Sequence, residues 1–100
     1  MIAWQRDLED ASSALEVVQL ARRYIAGMTG TAFAQLPEDC RPSFISSAED
    51  VREWSVRLDD AYWKLRASAG NIAPIQETWS FFLRARTRLS RLEAEGAFST

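Results

Sequence analysis

The side chains that ordinarily perform nucleophilic or acid–base chemistry are scarce in this sequence of 100 residues. The sequence contains no histidine, which removes Ser-His-Asp and Cys-His pairs, imidazole metal ligands and the usual proton carrier near neutral pH. Cys40 is its one cysteine, and without a histidine to activate it we expect a packed, inert thiol. The four glycines form no phosphate-binding loop. We therefore expect no enzymatic activity and no cofactor, since an enzyme would have to rely on carboxylates, tyrosines or arginines alone.

Acidic pairs are the next candidates, as ligands for a divalent cation. Asp59 and Asp60 are adjacent, and because adjacent residues of a helix point about 100° apart they cannot both bind one ion. Asp7 and Asp10 lie one turn apart and could bind one, but no further ligand accompanies them. We expect these carboxylates to be solvated, and we expect no metal site.

Three arginines, Arg84, Arg88 and Arg91, fall within about 60° of one another on the polar face of a predicted helix. Such a face could contact phosphates, small anions or an acidic partner. Neither a helix–turn–helix spacing nor a glycine-rich loop accompanies it. The interpretation we favour is a face that is solvated or paired with acidic residues of the protein, and nucleic-acid binding is the alternative.

Arg86 falls on the apolar side of the same helix. A buried guanidinium needs a carboxylate, because an uncompensated buried charge costs several kcal/mol. Three acidic residues could supply it: Glu93, Asp59 or Asp7. The interpretation we favour is an arginine at the edge of the apolar stripe, with its stem packed on Trp79 and its guanidinium in water. A buried ion pair is the alternative.

Trp63 is the strongest candidate for a binding residue. At 100° per residue, the apolar stripe of its helix centres near Leu58 and Leu65, whereas Val56, Trp63 and Ala67 cluster on the opposite side. A tryptophan that is exposed for no reason is uncommon, because burying it removes about 150–250 Å² from water. Interface centres are enriched in tryptophan. The sequence favours a partner-binding surface, and the alternative is that residues 33–45, or a bend in the helix, cover Trp63 within the monomer.

Hydrophobic spacing places these residues on three predicted helices, at about 3–28, 47–69 and 72–95. The first carries an apolar line in alternating steps of four and three, broken only at Arg22 and made of Trp4, Leu8, Ala11, Leu15, Val18 and Ile25. Ser13 with Glu16 could form an internal capping box, in which case this helix begins near residue 13 instead. Ser46 with Glu49 predicts a capping box for the second helix.

Residues 29–45 connect the first two predicted helices and are too apolar for a free linker. We expect this irregular segment to lie across one end of the bundle as a lid. Helices of 23 to 26 residues would each be about 35–40 Å long. The expected fold is therefore all-α, an elongated up-and-down three-helix bundle with that capping segment, in a single domain over residues 1–100.

Composition and charge limit the function. The net charge is −2, from 12 basic and 14 acidic residues, which favours neither a DNA mimic nor a strongly basic nucleic-acid binder. The stretch Met1–Asp10 has no continuous apolar run, so we expect no secretory signal and no membrane partner. A single cysteine favours a reducing compartment, the cytoplasm.

Long thin bundles bury their apolar lines incompletely as monomers, which favours self-association. The sequence thus predicts a small, non-enzymatic protein-interaction module of the regulator, inhibitor, chaperone or adaptor type. We expect it to dock on another protein, as a homodimer. The alternative is a helical nucleic-acid-binding protein that uses the arginine face of the third helix.

Overall fold

The N-terminal part of the chain reverses direction after its first eight helical residues. In the computed structural model, which describes residues 3–28, 36, 38, 41, 42 and 45–96, helix α1 spans Ala3–Asp10 and helix α2 spans Ala14–Ala26. The rings of Trp4 and Tyr24 lie 6.3 Å apart between centroids. A straight helix over the same residues would separate them by about 30 Å. The predicted single helix over residues 3–28 is therefore wrong, and its two halves form an antiparallel pair.

Two serines and a glutamate produce this break. Ser13 is the N-cap of α2, in an extended conformation, and its Oγ accepts a hydrogen bond from the backbone N–H of Glu16 at 3.2 Å. The carboxylate of Glu16 accepts hydrogen bonds from the backbone N–H of Ser12 at 3.0 Å and from its Oγ at 2.9 Å. These bonds satisfy N–H groups that a helix start leaves free. The alternative start near residue 13 is the one that the structure has.

Two longer helices form the rest of the described chain. Helix α3 spans Ala48–Ala67 and helix α4 spans Ala73–Ala94, within two residues of the expected bounds. The N-cap of α3 is Ser47, and the carboxylate of Asp50 accepts from the backbone N–H of Ser46 at 2.8 Å. The capping box predicted for Ser46 and Glu49 is thus displaced by one residue, because Asp50 is the acid one turn after the actual N-cap.

Helices α3 and α4 form an antiparallel hairpin. Arg52, near the start of α3, pairs with Glu93, near the end of α4, at 2.7 Å. Further along α3, the ring of Tyr62 stacks on that of Trp79, near the start of α4, with centroids 3.8 Å apart. The order of these contacts is reversed between the two helices, so they run in opposite directions.

Helix α1 runs in the same direction as α4, and α2 runs against it. Trp4 contacts Phe81, and Ala11 accepts a hydrogen bond from Arg88. Residue numbers therefore increase in the same direction along α1 and α4. Tyr24, near the end of α2, returns to Phe81. The directions are therefore α1 and α4 one way, α2 and α3 the other. The expected up-and-down order of three helices is not found, and the described residues form four helices.

The connection between α2 and α3 begins and ends at opposite ends of α4. Tyr24, in the last turns of α2, donates a hydrogen bond to Glu77 at 3.1 Å, whereas Arg52 at the start of α3 pairs with Glu93. Those two positions of α4 are about 24 Å apart. The lid expected over residues 29–45 stays a prediction, since most of these residues lie outside those that the structure describes. Among the described residues of this segment, Leu36, Pro42 and Ile45 are buried. Cys40, expected as a packed, inert thiol, lies outside the described residues.

The core lies where α4 meets the other three helices. Its largest fully buried side chains on α4 are Ile75, Phe81, Phe82, Leu89 and Leu92. The described residues contain helices and no strands, which confirms the all-α class. No described helix has both the length and the apolar composition needed to cross a bilayer. The molecule measures 40 × 26 × 26 Å with a radius of gyration of 13.4 Å, so it is only modestly elongated, because α1 folds back on α2.

Candidate functional site

Exposed apolar side chains on α3 form the first candidate site. We call it the Trp63 surface, made of Val56, Trp63 and Ala67. Val56 is 56% exposed, Trp63 is 53% exposed and Ala67 is also exposed. Spacings of seven and four residues place the three on one side of α3, whereas Leu58 on the other side is fully buried. The described residues thus leave about half of the Trp63 side chain open to solvent.

Neighbours on the same helix hold the Trp63 indole in place. Its Nε1 donates a hydrogen bond to Oδ1 of Asp59 at 3.1 Å, one turn earlier. Its ring meets the edge of Tyr62 at a centroid distance of 5.2 Å. The guanidinium of Arg66 lies 5.7 Å from the Trp63 ring centroid and donates to the hydroxyl of Tyr62 at 3.1 Å. Trp63 is therefore exposed and fixed at the same time.

A second tryptophan, from α4, joins this arrangement. The Nε1 of Trp79 donates to the same Oδ1 of Asp59 at 3.0 Å, and its ring stacks on Tyr62 at an interplanar angle of 5°. One carboxylate oxygen thus binds both indoles and ties the Trp63 surface to the α3–α4 hairpin. Asp59, expected as a solvated carboxylate or as a partner for Arg86, instead fixes two aromatic side chains.

A groove between α1 and α4 begins beside Trp79. We call it the arginine groove; it encloses about 550 Å³ and is lined by Gln5, Leu8, Glu9, Trp79, Ser80, Leu83, Arg84, Thr87, Arg88 and Arg91. Three of these side chains carry a positive charge, and Glu9 carries the one negative charge. The three arginines of the predicted face therefore line one groove.

Arg88 is not available for a ligand in the way that the helical spacing suggests. Its Nε and Nη2 donate to the backbone carbonyl of Ala11 at 3.0 and 2.6 Å, in a partly buried position. This carbonyl follows the last residue of α1, where helix carbonyls have no partner of their own. Arg84 and Arg91 are exposed, and neither is in a salt bridge with a described residue. The predicted face thus consists of two free arginines and one that holds α1.

The ion pair predicted as the alternative for Arg86 is not found among the described residues. Arg86 is half-buried on α4. Of its expected partners, Glu93 pairs with Arg52, and Asp59 binds the two indoles. The position at the edge of the apolar stripe, which we favoured from the sequence, fits the half-buried side chain.

The shifted pKa values indicate structural roles. Hydrogen bonds from the backbone and side chain of Ser12 hold the pKa of Glu16 below its usual value, and those of Ser46 do the same for the pKa of Asp50. Burial raises the pKa of Tyr24 to about 12, so its hydroxyl stays protonated near neutral pH. In the described part of the chain, no three cysteine or acidic residues are grouped so as to hold a metal ion.

Part of this site was within reach of sequence analysis. Asp59 and Trp63 are four residues apart on one helix, a spacing that brings side chains together. The part played by Trp79 needs the α3–α4 packing and could not be read from the sequence. The bond from Arg88 to Ala11 was also missed, because it depends on the reversal after α1.

Comparison with protein-family models, with curated proteins and with solved structures gave no match.

Proposed function

We propose that this protein is a small non-enzymatic interaction module that docks on another protein through the Trp63 surface, and that it does so as a homodimer. The observation that supports this proposal is a tryptophan that is 53% exposed although its N–H and its ring already have partners within the chain. Regulators, inhibitors, chaperones and adaptors all act by such docking. The proposal places the protein in the cytoplasm, because its single cysteine cannot form an intrachain disulfide.

The energetics favour Trp63 as the centre of a contact. Covering its exposed half would remove about 100 Å² from water, worth about 2–3 kcal/mol. Because Asp59 and Tyr62 already fix the indole, binding costs little additional side-chain entropy. A fixed, half-exposed tryptophan with an arginine beside it is typical of the residues that dominate protein interfaces.

The surroundings of Trp63 suit a protein partner better than a charged polymer. Asp60 pairs with Lys64 at 2.9 Å, and Arg57 pairs with Glu53 at 2.8 Å, all on exposed positions of α3. These pairs leave the side chains around the Trp63 surface with little net charge. An apolar centre with a balanced polar rim is the usual composition of a protein–protein interface.

Replacing Trp63 with glutamate tests the proposal. Trp63→Glu should abolish binding of the partner and leave the helix content and melting temperature close to those of the natural protein. Ser90→Glu adds the same charge at an exposed position of α4 and serves as the control. Immobilised natural protein, Trp63→Glu and Ser90→Glu are compared in a quantitative pull-down from the native host. Partners retained by the Ser90→Glu protein and lost with Trp63→Glu support the proposal; equal retention by both, or unfolding of Trp63→Glu, contradicts it.

A second candidate function is the binding of nucleic acid in the arginine groove. The observation that favours it is a groove with three arginines and one acidic residue. Arg84 and Arg91 are the residues to replace, since Arg88 also holds α1. Affinity for a duplex should fall steeply with salt, and each arginine removed should lower the log–log slope by about one. An absence of gel-shift binding at low salt would exclude this function.

A further inference from the structure

We infer that two copies of this chain can exchange α1, so that α1 of each copy packs against α4 of the other. The break at Ala11–Ser13 then straightens, and α1 and α2 join into one continuous helix over residues 3–26. The inference deepens the proposed homodimer by naming the element that passes between the copies. It does not depend on the docking of another protein at the Trp63 surface.

The apolar pattern runs through the break without a change of phase. Trp4, Leu8, Ala11, Leu15 and Val18 follow steps of four, three, four and three. A helical hairpin does not require this, because the reversal makes the phase of α1 independent of that of α2. A continuous helix does require it, since its apolar side must stay on one line. The sequence is thus compatible with two forms. In the closed form, the monomer, α1 folds back on α2; in the straightened form the two are one helix.

The residues of the break permit a helix. Ala11, Ser12 and Ser13 include neither glycine nor proline, the two residues that most disfavour a helix interior. This differs from the turn between α3 and α4, which contains Gly70, with Pro74 following at the start of α4. Short connections between packed elements are the usual site at which identical chains exchange a segment.

Leu15 belongs to the continuous apolar line but is exposed to solvent in the closed form. Its side chain is 58% exposed, the highest of the large hydrophobic side chains in the described residues. Its neighbours on the line, Ala11 and Val18, are buried. In the straightened form Leu15 lies at the middle of the new helix, where the helices of two exchanged copies cross. The exchange therefore gives Leu15 an apolar contact that it lacks in the monomer.

The contacts of α1 with the rest of the protein survive the exchange. Leu8 is 2% exposed, and the Trp4 ring packs against Phe81 and Tyr24 at 5.3 and 6.3 Å. Each can be made by α1 of the second copy on the same surface, because the exchanged element is identical. An isolated helix of eight residues is unstable in water, so α1 depends on these contacts in either form.

The bonds at the break itself hold the closed form. These are the cap formed by Ser12 and Ser13 with Glu16, and the bond from Arg88 to the Ala11 carbonyl. Straightening the helix breaks the cap and replaces it with backbone hydrogen bonds. The balance between monomer and exchanged dimer is therefore set at the cap, and removing the cap should shift it toward the dimer.

The chain offers a matched pair of variants for this test. Ser12→Ala with Ser13→Ala removes the cap at the break and introduces strong helix formers. Ser46→Ala with Ser47→Ala removes the same type of cap from α3, where the described residues just before the cap, Ile45 and Ser46, are not helical. Light scattering after size exclusion should show that the first pair lowers the dimer dissociation constant roughly tenfold or more, and that the second leaves it unchanged.

A third variant tests the opposite direction. Inserting two glycines between Ala11 and Ser12 keeps the cap on α2 intact and interrupts any continuous helix. This protein should stay monomeric at concentrations at which the Ser12→Ala, Ser13→Ala protein is dimeric. Dimerisation of the glycine variant to the same extent would overturn the exchange.

A disulfide identifies which α1 packs on which α4. Gln5 on α1 and Ser80 on α4 line the same groove, so Gln5→Cys with Ser80→Cys, in a Cys40→Ala background, can be oxidised across it. Dimers isolated from the Ser12→Ala, Ser13→Ala form of this chain should run as covalent dimers on a non-reducing gel. Dimers that separate into internally linked monomers, or dimers of the α3-cap variant in equal amount, overturn the inference. Loss of partner binding by Trp63→Glu is a separate result, because Trp63 lies on α3 and outside the groove.

Discussion

The N-terminal hairpin, α1 with α2, and the C-terminal hairpin, α3 with α4, are built from similar caps and joined by different turns. Both α2 and α3 begin with an alanine that follows two serines, and an acid four residues after the first serine accepts a hydrogen bond from it. The turn before α4 is encoded locally, by a residue in the left-handed conformation and by glycine and proline. The turn before α2 contains neither glycine nor proline. It is stabilised by the cap and by the hydrogen bonds from Arg88 of α4 to the Ala11 carbonyl.

The two chain reversals therefore have different causes. Neighbouring residues determine the C-terminal reversal, whereas tertiary contacts determine the N-terminal one. In the C-terminal hairpin the turn residues themselves strongly disfavour a continuous helix, because glycine and proline are the poorest residues in a helix interior. In the N-terminal hairpin the same residues fit either form, and the bond from Arg88 to Ala11 helps to choose between them. The N-terminal hairpin is thus the part of the fold that single substitutions should alter most easily.

The largest effect is expected at the residue where the two hairpins meet. Phe81 on α4 is fully buried and stacks on Tyr24 at 4.2 Å, with Trp4 against its edge. Phe81→Ala should lower the free energy of unfolding by about 3–5 kcal/mol, because it leaves a cavity under both α1 and α2. Urea denaturation followed by circular dichroism measures this. Phe81→Leu, which keeps most of the volume, should cost clearly less, and equal losses would argue against a tightly packed junction.

The next effect concerns the contact that selects the reversal. Arg88→Ala should lower the free energy of unfolding by about 1.5–3 kcal/mol, the range for hydrogen bonds that involve a charged group. Arg84→Ala, one turn earlier and exposed, should change it by less than about 0.5 kcal/mol. Urea midpoints of the two variants make the comparison. If both variants lose the same amount, Arg88 does not stabilise the end of α1.

The sequence predicted the C-terminal hairpin well and the N-terminal hairpin poorly, for the same physical reason. Spacing of apolar residues locates a helix, and only turn chemistry shows where it must stop. Gly70 and Pro74 supply that chemistry for α3 and α4. At Ser12 and Ser13 the cap was recognised only as an alternative, because periodicity continued through it. A reversal selected by Arg88, 77 residues away, has no local signal.

The candidate site was predictable to the extent that it lies on one helix. Val56, Trp63 and Ala67 share a side of α3 by helical geometry alone, and their exposure follows from the stripe opposite them. The shared carboxylate of Asp59 and the stacked ring of Trp79 come from the packing of α3 on α4. Sequence analysis therefore found the exposed residues and missed the contacts that hold Trp63 in place.

The pH dependence of stability allows the two caps to be compared directly. The folded-state pKa values of Glu16 and Asp50 lie below the usual 4.5 and 3.8, because each carboxylate accepts hydrogen bonds from a serine. The stabilisation is therefore complete above those usual values and is lost as the pH falls through the lowered ones. Unfolding midpoints between pH 6 and pH 2 should fall less steeply for Glu16→Gln and for Asp50→Asn than for the natural protein. An unchanged slope in both cap variants would show that the caps do not couple to pH.

The smallest effect tests the turn that the sequence located only approximately. In the turn that contains Gly70, the residue in the left-handed conformation is Ala69, with φ of 59°. The N–H of Ala69 donates to Arg66 O and that of Gly70 to Leu65 O at 2.7 Å, a pattern that favours glycine at the first of these positions. Ala69→Gly should raise the free energy of unfolding by about 0.5–1 kcal/mol, since relief of the left-handed conformation exceeds the added freedom of the unfolded chain. Gly70→Ala should lower it, because a Cβ there would lie 3.1 Å from Leu65 Cδ2 and 3.2 Å from its carbonyl oxygen. Opposite shifts of the two urea midpoints would establish that the C-terminal reversal is set by its own residues, whereas a loss of stability in Ala69→Gly would mean that this turn, like the N-terminal one, depends on contacts from elsewhere.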